Sequence, residues 1–186
     1  EGQKVLMTRY ARAVAQAIAP FATGDVPLIL TATEPIASIY RSVDASAALA
    51  PIGVEGSPEG MSDSELATAA RDVLDRLYAQ QLADVRELFG ERRSVGRGST
   101  DLAQVARAAT IGAVDTLLVD IDQTVPGHVD ELTGAITLDT PDDAHDYGVV
   151  DELVRRTWLA GGRVLAVRKE DIPDQAPLAA ILRYAV

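Results

Sequence analysis

The feature that most constrains the fold is an uninterrupted stretch, residues 62–89, that contains neither Gly nor Pro. At its start, Ser62 and Glu65 have the S-x-x-E spacing of a capping box, in which the two side chains satisfy free N–H groups at the first turn of a helix. Apolar residues then recur at three- and four-residue spacing from Leu66 to Leu88. The sequence therefore predicts one long amphipathic helix, around which the shorter elements must be arranged.

Shorter elements precede this helix. A three- and four-residue apolar repeat predicts a first helix, and Pro20 with the following Gly24 ends it. A fully apolar run predicts a buried strand, while a later candidate containing Pro51 is at most an edge strand, because Pro has no N–H to donate. The predicted elements are a helix at residues 4–19, a strand at 27–32, a short helix at 34–40 and a weak edge strand at 49–54.

A polar, glycine-rich segment at residues 90–99 follows the long helix and predicts a linker. From Thr100 onward helices and strands alternate, which is typical of an α/β fold with a central sheet covered by helices. The predicted domains are therefore residues 1–90 and 91–186. The elements predicted in the second are helices at 101–110 and 145–159, and strands at 114–119, 163–167 and 180–186.

The composition excludes several classes of function. The 186 residues include no cysteine, so disulfides, thiolate metal sites and cysteine nucleophiles are absent. The net charge of −11, from 17 basic and 28 acidic residues, argues against a domain that binds a nucleic-acid phosphate backbone by bulk charge, and we expect no DNA partner. No apolar run approaches the roughly 20 residues that span a bilayer. We expect a cytoplasmic protein with no membrane partner and no cofactor.

One short motif indicates a possible enzyme. A predicted strand leads into Asp120-Ile121-Asp122-Gln123-Thr124, the D-x-D-x-T pattern of magnesium-dependent phosphatases, with Asp120 as nucleophile and Asp122 as acid/base. The motif stands late in the chain, and the further Lys and Asp pair must come from Lys169 and Asp142-Asp143. The alternative interpretation is an exposed acidic loop after a strand, and no catalytic residue is assigned on this basis.

Other charged groups have both a structural and a functional interpretation. The acidic residues 139–146 precede a predicted helix, where carboxylates cap the N–H groups, so we predict no metal site there. Basic residues cluster later in the chain and could contact RNA phosphates. Paired surface arginines more commonly form exposed ion pairs, here with Asp151 or Glu152. The proposed contact patch consists of Arg155, Arg156, Arg163, Arg168 and Lys169.

The order of these segments resembles bacterial relatives of the archaeal and eukaryotic class I peptide-chain release factors and Pelota. Residues 9–18, 28–33 and 50–74 are similar to the second half of the family's middle domain, and residues 101–119, 147–153, 160–164, 171–173 and 179–184 are similar to its third domain. The positions that carry the motifs of the third domain are Gly112, Ala113, Val114, Asp115, Asp151, Glu152, Gly161 and Gly162.

The resemblance implies an α/β fold: the remainder of an RNase-H-like middle domain, then a small α/β/α sandwich of the fold shared with kink-turn-binding ribosomal proteins. It also implies a role at the ribosome. Release activity in the family rests on a Gly-Gly-Gln loop, which this sequence does not contain. We therefore expect a non-catalytic, translation-associated module that docks to the ribosome or to a translation-factor protein, with direct RNA contact possible.

Two alternatives remain open at this point. One is the magnesium-dependent phosphatase that uses Asp120 and Asp122. The other is peptidyl-tRNA hydrolysis by a longer protein, since the sequence starts at Glu1 and not at Met, which suggests a piece of a larger chain.

Overall fold

The computed structural model describes residues 2–22, 26–44, 46–120, 122–139 and 148–186. The chain divides into two compact units, Glu1–Gln80 and Gln81–Val186. The domains 1–90 and 91–186 that the sequence predicts stay a prediction. Residues Leu82, Val85 and Phe89 belong to the second compact unit, because they are buried together with residues of its sheet.

The first unit has two packed helices beside a very short pair of strands. Helix α1 packs on helix α2 around a small core of Ala11, Ile39 and Tyr40. The predictions for both helices are confirmed. The elements, including the long helix α3 that begins in this unit, are α1 (Gly2–Ile18), β1 (Thr31–Ala32), α2 (Ile36–Val43), β2 (Val54–Glu55) and α3 (Asp63–Ser94).

The two strands of this unit are shorter than predicted. They pair in parallel, with Thr31 opposite Val54, and an isolated parallel bridge joins Leu28 to Leu49. Between these points the second segment carries Pro51, which cannot donate to a ladder. At Gly53 the chain also approaches so closely that a Cβ would lie 2.3 Å from the Leu30 carbonyl oxygen.

The long helix α3 begins with the predicted capping box. The carboxylate of Glu65 accepts hydrogen bonds from the N–H of Ser62 at 2.8 Å and from its hydroxyl at 2.7 Å. These bonds favour the ionised carboxylate and hold the pKa of Glu65 below its ordinary value.

The predicted linker at residues 90–99 is wrong in its first half, because α3 continues through Gly90 to Ser94. One glycine inside a helix reduces the folding stability by about 0.5–1 kcal/mol relative to Ala. The burial of the neighbouring Phe89 stabilises the fold by more than this. The helix ends where Gly96 adopts a positive φ of 71°, a conformation that commonly terminates helices.

The second unit contains a four-stranded sheet in the order β3, β8, β4, β7. Strand β8 is antiparallel to both of its neighbours, while β4 and β7 are parallel. A separate antiparallel hairpin consists of β5 and β6. The elements are β3 (Gly98–Ser99), α4 (Leu102–Thr110), β4 (Val114–Asp120), β5 (Gly127–Val129), β6 (Ile136–Leu138), α5 (Val149–Leu159), β7 (Arg163–Val167) and β8 (Leu178–Leu182).

Helices cover the sheet on both faces. On one face, Leu178, Ala180 and Leu182 of β8 are buried in a cluster with residues of α4 and α5. On the other face, Ala179 and Ile181 are buried with residues from the end of α3. This alternation is the period-two pattern of a strand between two layers. The predicted α/β fold class, with a small α/β/α sandwich in its second part, is confirmed.

Several predicted elements of this unit need correction. The β5–β6 hairpin is not among the predicted elements, and β3 lies within the predicted linker. The final strand ends at Leu182, because the chain after it no longer pairs with β4. Helix α5 begins at Val149, and residues 145–147 of its predicted start lie outside the described residues. Within the described part of the chain, no helix is long and apolar enough to cross a membrane.

We predict that Gly162→Ala destabilises the second unit by about 1–3 kcal/mol. A Cβ at this position would lie 2.8 Å from the Val114 carbonyl oxygen and 2.7 Å from Cγ2 of Thr157, so backbone would have to move. Urea unfolding followed by circular dichroism measures the change in the free energy of unfolding.

Gly90→Ala is the matched control. Gly90 lies inside α3 with nothing within 4 Å of its Cβ position, so the same substitution there should stabilise the protein by about 0.5–1 kcal/mol. Equal effects of the two substitutions would contradict the close approach at Gly162.

Candidate functional site

Asp120 is the last residue of β4, and it is buried. Its Oδ1 accepts a hydrogen bond from the N–H of Asp122 at 3.0 Å. Its own N–H donates to the Pro177 carbonyl oxygen at 3.2 Å. The carboxylate therefore holds the turn that follows the strand, as Asp commonly does in loops.

The other residues required for phosphatase chemistry do not complete a site. Asp122 is exposed, and Lys169 lies at the same end of the sheet as Asp120, because Val167 pairs with Asp120. Asp142 and Asp143 lie outside the described residues. Among the residues that the structure describes, no group of three or more His, Cys, Asp or Glu side chains could hold a metal ion. The structure lends the phosphatase alternative no support.

The five basic residues predicted as a contact patch are divided between two ends of a strand. Arg163 begins β7, whereas Arg168 and Lys169 follow its last residue. A five-residue strand is roughly 16 Å long, so these groups cannot meet one phosphate. Arg155 and Arg156 lie in the last turns of α5, which leads into the Arg163 end.

Arg156 is engaged within the protein. Its guanidinium donates to Glu152 Oε1 at 2.7 Å, to Thr110 Oγ1 at 2.6 Å, and to the carbonyl oxygens of Val129 and Asp130 at 3.0 Å. Only 9% of its side chain is exposed. Arg156 thus ties α5 to α4 and to the β5–β6 hairpin, and it has little capacity left for an RNA phosphate.

The hairpin that Arg156 holds also has a well-bonded turn. Asp130 Oδ1 accepts hydrogen bonds from the hydroxyl and the N–H of Thr133 at 2.6 and 2.7 Å. These bonds, followed by the N–H of Leu132 and the charge of Arg156, keep the pKa of Asp130 below its ordinary value. Because the folded-state pKa is depressed, this contribution to stability is present at neutral pH and is lost as the pH falls through that pKa.

The glycines that carry the resemblance terminate helices. Gly112 and Gly161 have φ values of 70° and 73° and follow α4 and α5 directly. A glycine in this conformation commonly ends a helix, since other residues adopt it at a cost. Gly162 allows the close approach to Val114 described above.

The remaining motif positions also have structural roles. Asp151 Oδ2 accepts the Gly148 N–H at 3.1 Å and caps the start of α5. Glu152 pairs with both Arg155 and Arg156. Ala113 is buried directly before β4 and Val114 is buried as its first residue, while Asp115 is exposed and accepts a hydrogen bond from the Thr116 hydroxyl at 3.2 Å.

Arg183 connects the two helix ends and is absent from the predicted residues. Its guanidinium donates to the carbonyl oxygens of Gly112 at 3.2 Å and Ala160 at 3.0 Å. A cation at a helix C-terminus is favoured by the helix dipole, and here one side chain serves two helices. No local sequence pattern reveals this role, because its partners lie about 70 and 20 residues away.

An apolar cleft of about 470 Å³ lies in the first unit. It is lined by α1, by residues 28–33, by α2 and by a loop containing Ser57, Pro58 and Glu59. Among the described lining residues, Glu59 is the one that is charged at neutral pH. Tyr40 is buried at its wall, and burial, followed by the hydrogen bond and charge of Asp44, raises the pKa of its hydroxyl. The cleft can hold an apolar group but offers no paired acid and base.

The comparison with family sequence models concerns the first unit. Residues 1–80 match the model of Bacterial archaeo-eukaryotic release factor family 11. The matched range ends at the boundary between the two compact units. No curated protein sequence matches the chain.

Solved structures extend the likeness over most of the chain. S. cerevisiae Dom34, a translation termination-like factor that interacts with Hbs1, is 14% identical with a TM-score of 0.60, covering 96% of this chain and 52% of Dom34. A chain of the ribosome-bound archaeal Pelota and ABCE1 assembly is 18% identical with a TM-score of 0.57, covering 97% and 49%. The C-terminal domain of the peptide-chain release factor from Methanosarcina mazei is 21% identical with a TM-score of 0.51, covering 68% and 98%.

The predicted resemblance to bacterial relatives of release factors and Pelota is confirmed. At these identities the structural likeness establishes the fold, and the sequence match covers the first unit. The chain spans about half the length of the Dom34 and Pelota chains.

We predict that Arg156→Ala destabilises the second unit by about 1–3 kcal/mol, because the carbonyl oxygens of Val129 and Asp130 lose their mostly buried donor. Arg155→Ala is the matched control. Arg155 bonds the same Glu152 from a side chain that is 53% exposed, so its loss should cost less than about 1 kcal/mol. Urea midpoints of the two variants give the comparison, and similar values would show that the Arg156 network contributes little.

Proposed function

We propose that the chain belongs to a translation-associated protein, similar to release factors and Pelota, that docks to the ribosome or to a translation-factor protein. The observation that carries this proposal is the agreement of two independent likenesses. The first unit matches a release-factor family in sequence, and the fold of nearly the whole chain matches Dom34 and a Pelota assembly that is bound to the ribosome.

The two units have separate counterparts in this proposal. The first unit corresponds to the remainder of a middle domain, and the second corresponds to the third domain, as the sequence predicts. The α/β/α sandwich of the second unit supports this assignment, since its helix ends and strand contacts involve the motif positions Gly112, Gly161 and Gly162.

The role proposed for this chain is docking and not chemistry. The sequence has no Gly-Gly-Gln loop, the carboxylate of Asp120 holds a turn, and the described lining of the apolar cleft has no acid–base pair. Hbs1 and ABCE1, named with Dom34 and Pelota, indicate the kind of partner protein that this chain would contact.

We predict that the protein co-sediments with ribosomes at low salt. The measurement uses a sucrose cushion with purified ribosomes, with and without tRNA, and a parallel run in cell extract that contains translation factors. An unrelated acidic protein of similar size is the control. Pelleting with purified ribosomes indicates direct docking, and pelleting only in extract indicates docking through a partner. Recovery in the supernatant under every condition would contradict the proposal.

A further inference from the structure

Helix α1 has a charge that is unusual for this protein. Between Gly2 and Ile18 there are three basic residues, Lys4, Arg9 and Arg12, and no acidic residue. The rest of residues 1–80 has three basic residues and a large acidic excess. These acidic residues are Glu1, Asp25, Glu34, Asp44, Glu55, Glu59, Asp63, Glu65, Asp72 and Asp75.

The three basic side chains share one side of the helix. At about 100° per residue, Lys4, Arg12 and Arg9 fall within an arc of about 140°. Val14, which packs against the core of the first unit, lies across the helix from Arg9 and Arg12. Lys4 lies at the edge of the arc, because the buried Ala11 and the core-packed Ala15 are each about 20° from it. We call the side with Lys4, Arg9, Arg12 and Gln16 the basic face of α1.

Most of the basic face is uncovered by the described residues, although Lys4 at its edge also borders a second groove with Pro35, Ser38 and Ile39. All four side chains are exposed, and a shallow groove along this side of the helix is lined by residues of α1 alone. Val5 is the large apolar residue among the described lining of this groove, which also includes Ala13 and the long side chains of the basic residues.

Among the described residues, no ion pair neutralises the charges of the basic face. None of Lys4, Arg9 and Arg12 lies within 4.0 Å of a described carboxylate oxygen. In contrast, Arg86 and Arg93 pair with Asp171 and Asp174 at 2.9 and 2.6 Å. The basic face therefore offers cations that are free to meet an external anion.

The composition of the face favours a nucleic-acid backbone over a protein surface. Phosphate and sugar contacts are made by Arg, Lys and neutral donors such as Gln. The core of a protein interface needs aromatic or large apolar groups and is depleted in Lys, and Val5 alone supplies little of this.

We infer that the basic face of α1 is a contact site for the phosphate backbone of RNA. This inference deepens the proposed function and rests on it for the biological setting, in which ribosomal RNA or tRNA is the available polyanion. The net charge of −11 does not prevent such contact, because charges beyond about 8–10 Å are largely screened at physiological ionic strength.

Three phosphate contacts set the expected size of the effect. On single-stranded RNA, the logarithm of the binding constant should fall with the logarithm of the salt concentration with a slope of about −2. Removal of all three contacts should bring this slope close to zero and weaken binding at ~0.1 M salt by at least about tenfold.

The test variant is Lys4→Gln/Arg9→Gln/Arg12→Gln in the full chain. Gln has nearly the helix propensity of Lys and Arg, so α1 should remain folded, which circular dichroism checks. The matched control, Arg163→Gln/Arg168→Gln/Lys169→Gln, removes the same charge from exposed residues of the second unit. This control also tests the basic patch that the sequence predicts.

The measurement is fluorescence anisotropy of a labelled single-stranded RNA and a labelled RNA hairpin across a KCl series, with polyglutamate as an acidic-protein probe. We expect the wild type and the control to bind RNA with the same salt slope, and the α1 variant to lose both slope and affinity. Equal RNA binding by the wild type and the α1 variant would overturn the inference. So would binding of polyglutamate without binding of RNA, which would assign the face to an acidic protein.

Ribosome co-sedimentation of the same variants separates this inference from the proposed function. If the α1 variant pellets with ribosomes as well as the wild type does, the basic face is not the contact, although ribosome docking stands. If RNA binding depends on the basic face but the wild type fails to pellet under any condition, the inference stands and the proposed function fails.

Discussion

The burial of β8 is the constraint on which the second unit depends. Its five residues are all buried, and it pairs with β3 on one side and β4 on the other. A strand with two apolar faces is stable only when both faces are covered. Helices α4 and α5 cover one face, and the last turns of α3 must cover the other. The same constraint explains why the boundary between the units falls within α3, and why Arg183, directly after β8, can reach the ends of both α4 and α5.

The two units are stabilised to different extents by apolar burial. Among the described residues of the first unit, the hydrophobic core cluster has three buried side chains, and the paired strands have two residues each. The second unit buries two clusters, one on each face of a four-stranded sheet. Because local opening is resisted mainly by buried apolar contacts, we expect the first unit to open more readily. The apolar cleft and the basic face of α1 both lie in this less strongly packed unit.

Patterns of apolar spacing and capping allowed much of the fold to be predicted. The capping box at Ser62, the helices α1, α2 and α4, and the parallel strands β4 and β7 all follow from signals within a few residues. The presence of Gly90 predicts the end of the helix, whereas α3 continues past it. The low helix propensity of glycine is outweighed by the burial of Phe89 against a strand that is distant in the sequence. The β5–β6 hairpin could not be predicted because its strands have three residues each, too few for a clear alternation.

The candidate sites were harder to predict than the fold, for a physical reason. Whether an arginine is free or engaged depends on carbonyl oxygens that the fold brings together. Arg156 and Arg183 are engaged through partners far away in the sequence, so charge counts alone placed Arg156 in a contact patch. That Lys4, Arg9 and Arg12 of α1 form no ion pair with the described carboxylates became clear only from the structure.

The separation of charge within the first unit has a consequence for how quickly and in which orientation it meets a polyanion. An acidic body repels such a surface from most directions, while the basic face of α1 is attracted to it at short range. Encounters in which α1 faces the polyanion are therefore favoured over other orientations. Electrostatic steering of this kind changes association rate constants by about tenfold or more, depending on ionic strength. The acidic residues of the first unit outside α1 would thus reduce binding of the polyanion to the other faces of this unit.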